Sequence, residues 1–84
     1  MSADSLHRAR LTLEEMFRDI LELPADQDVA QLSMLNEEKW DSLATVTLIA
    51  AIESGFGITL DSADYESMTS FAAVWMLVEE KLGG

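Results

Sequence analysis

Ser42 is the residue whose type and setting point most directly to chemistry. It stands in Lys39-Trp40-Asp41-Ser42-Leu43, after a long acidic stretch. Behind it run Ala44, Thr45, Val46, Thr47, Leu48, Ile49, Ala50, Ala51 and Ile52, without one ionised side chain. A helix beginning at that point leaves its first backbone N–H groups unpartnered and gathers partial positive charge at its start. A serine there has two uses: its oxygen caps the helix, or it carries a phosphate ester whose charge the helix end stabilises. Other candidates are sparse. His7 is the sole histidine, near the start and without a neighbouring nucleophile, so no Ser-His-Asp set can be assembled from it. Asp26-x-Asp28 and Asp61-x-x-Asp64-x-Glu66 lack the alternation, central glycine and terminal glutamate of a calcium loop. They read as solvated loops and helix caps. The chain has no cysteine, which excludes disulfides and thiolate metal sites. This inventory argues against an enzyme and for no bound metal.

The elements that must position Ser42 fit into one domain spanning residues 1–84, since chains divide only well beyond this length. Hydrophobic residues make up 49% of it, enough for a modest core that must rest on well-packed helices. Apolar residues at three- and four-residue spacing (Leu6, Ala9, Leu13, Met16, Phe17, Ile20) predict a first helix over 6–22. Asp4 or Ser5 can cap it, and Pro24 ends it. Residues 23–41 form a long connection, with Val29, Leu32, Met34 and Leu35 as its apolar anchors and room for a helical turn over 29–32. A second helix is expected from Ser42 or Leu43 to about 55. Its inner stripe is Val46, Ile49, Ile52 and Phe56, with Leu43 and Leu48 beside it. Gly55 and Gly57 supply the left-handed positions that stop it. Ile58, Thr59 and Leu60 make an extended link. Asp61-Ser62 caps a short third helix over 63–68, and Thr69 or Ser70 caps a last one with Phe71, Val74, Trp75, Val78 and Leu82 on one face, closed by Gly83 and Gly84. The fold class is all-α: a small four-helix bundle, three longer helices and one short, with a long loop between the first two.

Five Lys and Arg against sixteen Asp and Glu give a net charge of −11. Nucleic acid and anionic membrane both need a basic footprint and are excluded as partners. Two readings of the acidity stay open: attraction to basic patches on partner proteins, and solubility. Asp4, Arg8 and Arg10 break any leader-like apolar segment at the start, and no apolar run is long enough to span a bilayer. The expectation is a cytoplasmic monomer.

Taken together, Asp41-Ser42-Leu43 in mid-chain, the uncharged helix behind it, Gly55-Phe56-Gly57-Ile58-Thr59-Leu60 and the amphipathic last helix resemble the acyl carrier protein family over nearly the whole chain. Asp4-Ser5-Leu6 repeats the tripeptide at a helix start, where capping explains it, so the tripeptide alone does not carry the resemblance. What the resemblance implies is specific. Ser42 would bear 4′-phosphopantetheine, taken from coenzyme A, through a phosphodiester, and its terminal thiol would hold cargo as a thioester. Asp41 would help the phosphopantetheinyl transferase and its metal engage the site, and Leu43 would pack beside the arm. The implied function is a freestanding acyl or aminoacyl carrier, loaded by an acyl- or aminoacyl-activating ligase and serving downstream transferases and synthases. The alternative from another class is an unmodified acidic scaffold, with Ser42 a helix cap.

Carriers of general fatty acid synthesis have several acids along the exposed face of the second helix. Here those places read Ala44, Thr45, Thr47, Ala50 and Ala51, with Glu53 the first acid. The uncharged helix is more similar to dedicated or aminoacyl carriers. It implies partner docking through Leu43, Val46 and Thr47, with charge supplied by Asp41 before the helix and by Asp61 and Asp64 around the third. If the core also sheathes an acyl chain, as the family allows, the lining would be Val46, Ile49, Ile58, Leu60, Met68 and Trp75. For most of these residues plain core packing is the better account.

Overall fold

A computed structural model describes residues 2–83, and within them the chain forms α1 (Ala3–Ile20), α2 (Ser42–Phe56), α3 (Ser62–Ser67) and α4 (Phe71–Lys81). The architecture is the expected all-α bundle with a long connection between α1 and α2. None of the described helices is long and apolar enough to cross a membrane. The expected closing role of Gly84 lies outside the described residues.

α1 starts earlier than its apolar stripe suggests. Ser2 is the cap and accepts from the Ser5 N–H at 3.2 Å, which places Asp4 in the first turn, where its charge suits the helix dipole. Ala9, Leu13 and Phe17 are its buried residues. The helix ends at Ile20 rather than near 22, and Pro24 is not what stops it. Glu22 adopts a left-handed φ of 56°. The Leu23 N–H reaches back to the Arg18 carbonyl at 2.8 Å and the Glu22 N–H to that of Asp19 at 3.4 Å. This is a Schellman closure with a glutamate where glycine is the unstrained choice. Lys39 Nζ donates to the Glu22 carbonyl at 3.2 Å and ties the far end of the connection to this turn.

Within the connection, Val29 and Leu32 are buried anchors, and the Leu32 N–H closes one turn on Val29. Met34 and Leu35 are not anchors, Leu35 being 99% exposed. The backbone does the anchoring there instead. Met34 N–H donates to the Thr69 carbonyl at 3.0 Å and Phe71 N–H to the Leu32 carbonyl at 2.9 Å, an isolated antiparallel bridge at Ser33 and Ser70. Trp40 is a further anchor, buried to 2% exposure. Its ring meets Phe17 edge to face at 5.1 Å, and Phe17 meets Phe71 in the same way at 5.1 Å.

The inner face of α2 is Ala44, Leu48 and Ile52, not the stripe through Val46. Val46 is 63% exposed and Leu43 75%, while Ile49 and Phe56 are half-buried against the core. The reason is physical: from Leu43 to Ile52 only Thr45 and Thr47 interrupt the apolar residues, so hydrophobic period cannot choose a face. Gly55 is helical, and a Cβ there would overlap the Met16 methyl of α1. Gly57 alone takes the left-handed position, at φ 67°, with its N–H on the Glu53 carbonyl. α3 is capped by Asp61 and α4 by Ser70, and Phe71, Val74, Leu77 and Val78 are the buried residues of α4. Trp75 and Leu82 pack half-buried beside them.

Replacing Glu22 by glycine removes the left-handed strain without touching a side-chain contact. We expect Glu22→Gly to raise stability by about 0.5–1 kcal/mol, read as a melting temperature a few degrees higher in thermal unfolding followed by circular dichroism.

Candidate functional site

The start of α2 is built by Asp41. Its carboxylate accepts from the Ala44 N–H at 2.9 Å and its carbonyl accepts the first helical bond, from the Thr45 N–H, at 3.0 Å. Asp41 is therefore the cap and Ser42 the first helical residue. That assignment decides what the serine is free to do. Ser42 is exposed, and its hydroxyl has no hydrogen-bond partner among the described residues. The Ser42 and Leu43 N–H groups, ahead of the first helical bond, stay open at the positive end of the helix. No acidic residue lies in that first turn to compete for them.

A phosphodiester on Ser42 Oγ fits this place. Its negative charge would sit beside two open N–H groups and the end of a 15-residue helix. The remaining chemistry of the site is a hydroxyl that another protein can reach. A helical bundle that presents a bare serine at the start of a 15-residue helix has the layout of a carrier. The family described as phosphopantetheine attachment site (PP-binding) matches residues 11–74. The "Polyketide-8 synthase acyl carrier protein 1" of Streptomyces avermitilis is 32% identical over 69 residues, covering 81% of each chain. This chain belongs to the phosphopantetheine-attachment family of carrier proteins. It is a carrier and not an enzyme, its cofactor is 4′-phosphopantetheine, and carriers of this kind work with a phosphopantetheinyl transferase and biosynthetic enzymes.

The residues expected around the site divide into three groups. Leu43, Val46 and Thr47 share the exposed side of α2, with Ala50 continuing it. Glu53, the one acid of α2, does not join them. Its carboxylate turns back to accept the Leu60 N–H at 2.9 Å, securing the link between α2 and α3. Of the expected cavity lining, Val46 is corrected by its exposure, since it stands on the outer surface. Leu60 and Met68 are buried in the core, with Ile49, Ile58 and Trp75 packed against it. Open hollows of about 290 and 270 Å³ lie elsewhere, the first beside Arg18 and Leu23, the second beside Ala73 and Met76.

Asp61 and Asp64 are held by each other before any partner arrives. Each carboxylate accepts the other's backbone N–H, at 3.0 and 2.9 Å, in a capping box on α3. Asp64 also pairs with Lys81 of α4 at 3.2 Å. The Asp61 N–H, and then Lys81, hold the Asp64 carboxyl below its ordinary value, and Asp64 lifts Lys81 above its own. The sequence marks Trp40 as part of the motif but gives neither it nor Thr45 a structural role. The indole N–H donates to Thr45 Oγ1 at 3.0 Å, and that hydroxyl donates to the Asp41 carbonyl at 3.0 Å. Trp40 could have been suspected as the only aromatic in a polar connection. Nothing local marks Thr45, because its partner is set by where the core places the indole.

A depressed carboxyl pKa stabilises the fold above the unfolded value and ceases to do so as pH falls through the folded one. The contribution of the Asp64–Lys81 pair should thus persist at neutral pH and vanish below pH 3.8, the ordinary value of Asp64. The check is the melting temperature of Lys81→Met against wild type across pH. The variant should be less stable at pH 7, and the two should converge in acid.

Proposed function

We propose that Ser42 is the attachment residue and that the cargo held on its arm is an acyl group. The observation that carries the first part is the division of labour at the helix start: Asp41 makes the cap, so Ser42 is spared for modification. Support for acyl rather than aminoacyl cargo comes from the relative whose printed name is that of a polyketide synthase acyl carrier protein. In the modification, Ser42 Oγ attacks the pantetheine-bearing phosphorus of coenzyme A. A phosphoester bond forms, the phosphoanhydride bond breaks, adenosine 3′,5′-bisphosphate leaves, and the hydroxyl proton passes to the transferase or solvent. The arm supplies a thiol that holds the cargo as a thioester. The protein's own part is to expose the serine, favour the phosphodiester charge with open N–H groups, and keep cargo at high effective concentration near its docked enzymes.

Those enzymes would comprise the phosphopantetheinyl transferase, an acyl-activating ligase, and the transferases or synthases that receive the acyl group. Their common landing place is the outer side of α2, where Leu43, Val46, Thr47 and Ala50 are exposed and no free charge lies. A docked enzyme would bury apolar side chains there and find nothing for a row of lysines or arginines to hold.

Incubation with coenzyme A, magnesium and a broad-specificity phosphopantetheinyl transferase tests the site by intact-protein mass. Wild type should gain one phosphopantetheine and Ser42→Ala none; an unmodified wild type, under conditions that modify another carrier, would return Ser42 to the status of an ordinary helix residue. The docking face has its own check. Val46→Glu should lower kcat/KM for that transfer by roughly tenfold, the scale of one buried apolar contact replaced by a charge. Raising salt to about 0.3 M should change the wild-type value little, because screening acts on charges that α2 does not present.

A further inference from the structure

We propose that Trp40 and Thr45 act together as a clasp that positions Ser42 for modification, an inference that rests on Ser42 being the attachment site. Trp40 is buried at 2% exposure and its ring lies edge to face on Phe17 at 5.1 Å. The core therefore fixes the indole, independently of the connection that carries it. From that fixed point a chain of hydrogen bonds runs into the first turn of α2. Trp40 Nε1–H donates to Thr45 Oγ1 at 3.0 Å, Thr45 Oγ1–H donates to the Asp41 carbonyl at 3.0 Å, and the Thr45 N–H donates to the same carbonyl at 3.0 Å. The Asp41 carboxylate closes on the Ala44 N–H at 2.9 Å.

Residues 40–45 are thus drawn into a loop closed through side chains at Trp40, Asp41 and Thr45. Inside it Ser42 takes part in no side-chain hydrogen bond among the described residues, and Ser42 and Leu43 both face solvent. A hydroxyl bonded back to the carbonyl four residues before it is neutral or slightly unfavourable to a helix when it stands alone. Here it has a second partner, because the same oxygen receives the indole. A buried indole N–H needs an acceptor, and a backbone carbonyl would serve equally for stability alone. Using Thr45 instead couples the core to the residue before Ser42.

The consequence for function is one of population. An enzyme that must bring Ser42 Oγ into its own active site binds the junction in a single conformation. Its apparent affinity is the intrinsic affinity multiplied by the fraction of carriers that already hold that conformation. With the clasp intact the junction is preformed. Without it, the Asp41 cap remains and the helix persists, but the turn that presents Ser42 is no longer registered against Phe17.

The test is the kinetics of phosphopantetheine transfer by a broad-specificity transferase, with coenzyme A saturating and the carrier concentration varied. Thr45→Val keeps shape and removes the hydroxyl. We expect KM for the carrier to rise about fivefold, the size of one hydrogen bond, with kcat unchanged and the far-UV circular dichroism of wild type. Thr45→Ser, which restores the hydroxyl, should restore KM. Trp40→Phe keeps the edge-to-face ring and loses the N–H; it should raise KM similarly, and the double variant should do no more than either alone. A wild-type KM in Thr45→Val, or a rise that serine fails to rescue, overturns the clasp while leaving Ser42 as the attachment site. A wild-type chain that accepts no phosphopantetheine overturns both.

Discussion

The structure depends on Phe17. Its side chain is fully buried and meets two aromatic rings edge to face, Trp40 from the connection and Phe71 from the start of α4. Each such pair contributes about 0.5–1.5 kcal/mol beyond the burial of its area. The larger effect is geometric. α1 supplies the central ring, and the two rings it holds belong to the segments just before α2 and at the beginning of α4. The connection is thereby given an aromatic anchor just before Ser42, in addition to Val29 and Leu32. The backbone bridge at Ser33 and Ser70 fixes the middle of the same connection against the start of α4. These two attachments, one apolar and one hydrogen-bonded, turn a long loop into a rigid support.

Charge is organised around that support. The chain has five cationic side chains, and four of them are engaged internally. Arg10 pairs with Glu14 at 3.3 Å and lies over the rings of Phe71 and Trp75. Arg18 reaches Glu14 and the Gln27 carbonyl, Lys39 the Glu22 carbonyl, and Lys81 Asp64. Exposed pairs of this kind add little stability, yet they leave the outer surface dominated by unpaired acids. α2 is the exception, with an uncharged outer side and its one acid turned inward onto Leu60. For partners that dock on α2 as proposed above, this neutral face would make the contact apolar, unlike the contact an acidic recognition helix makes.

The number and order of the helices, the position of Ser42 at a helix start, caps at Asp61-Ser62 and at Thr69 or Ser70, and most of the buried faces of α1 and α4 could be read from the chain alone. Each is written in local chemistry: caps, a period of 3.6, and a left-handed glycine at position 57. The carrier family was legible for the same reason, since Asp41-Ser42-Leu43 and the segments after it lie in one continuous stretch. What only the tertiary structure decided was the choice among local options of nearly equal energy. Periodicity cannot orient a helix that is apolar almost all round, so contact with the other elements selected Ala44, Leu48 and Ile52 for the inside and left Val46 out. Four apolar residues of the connection could each have been anchors, and the fold buries Val29 and Leu32, together with Trp40, while Met34 and Leu35 stay exposed. Asp41 and Ser42 were both able to cap. The folded backbone holds Asp41 in the extended conformation just before the helix, where its carboxylate takes the Ala44 N–H, and that leaves the serine hydroxyl free.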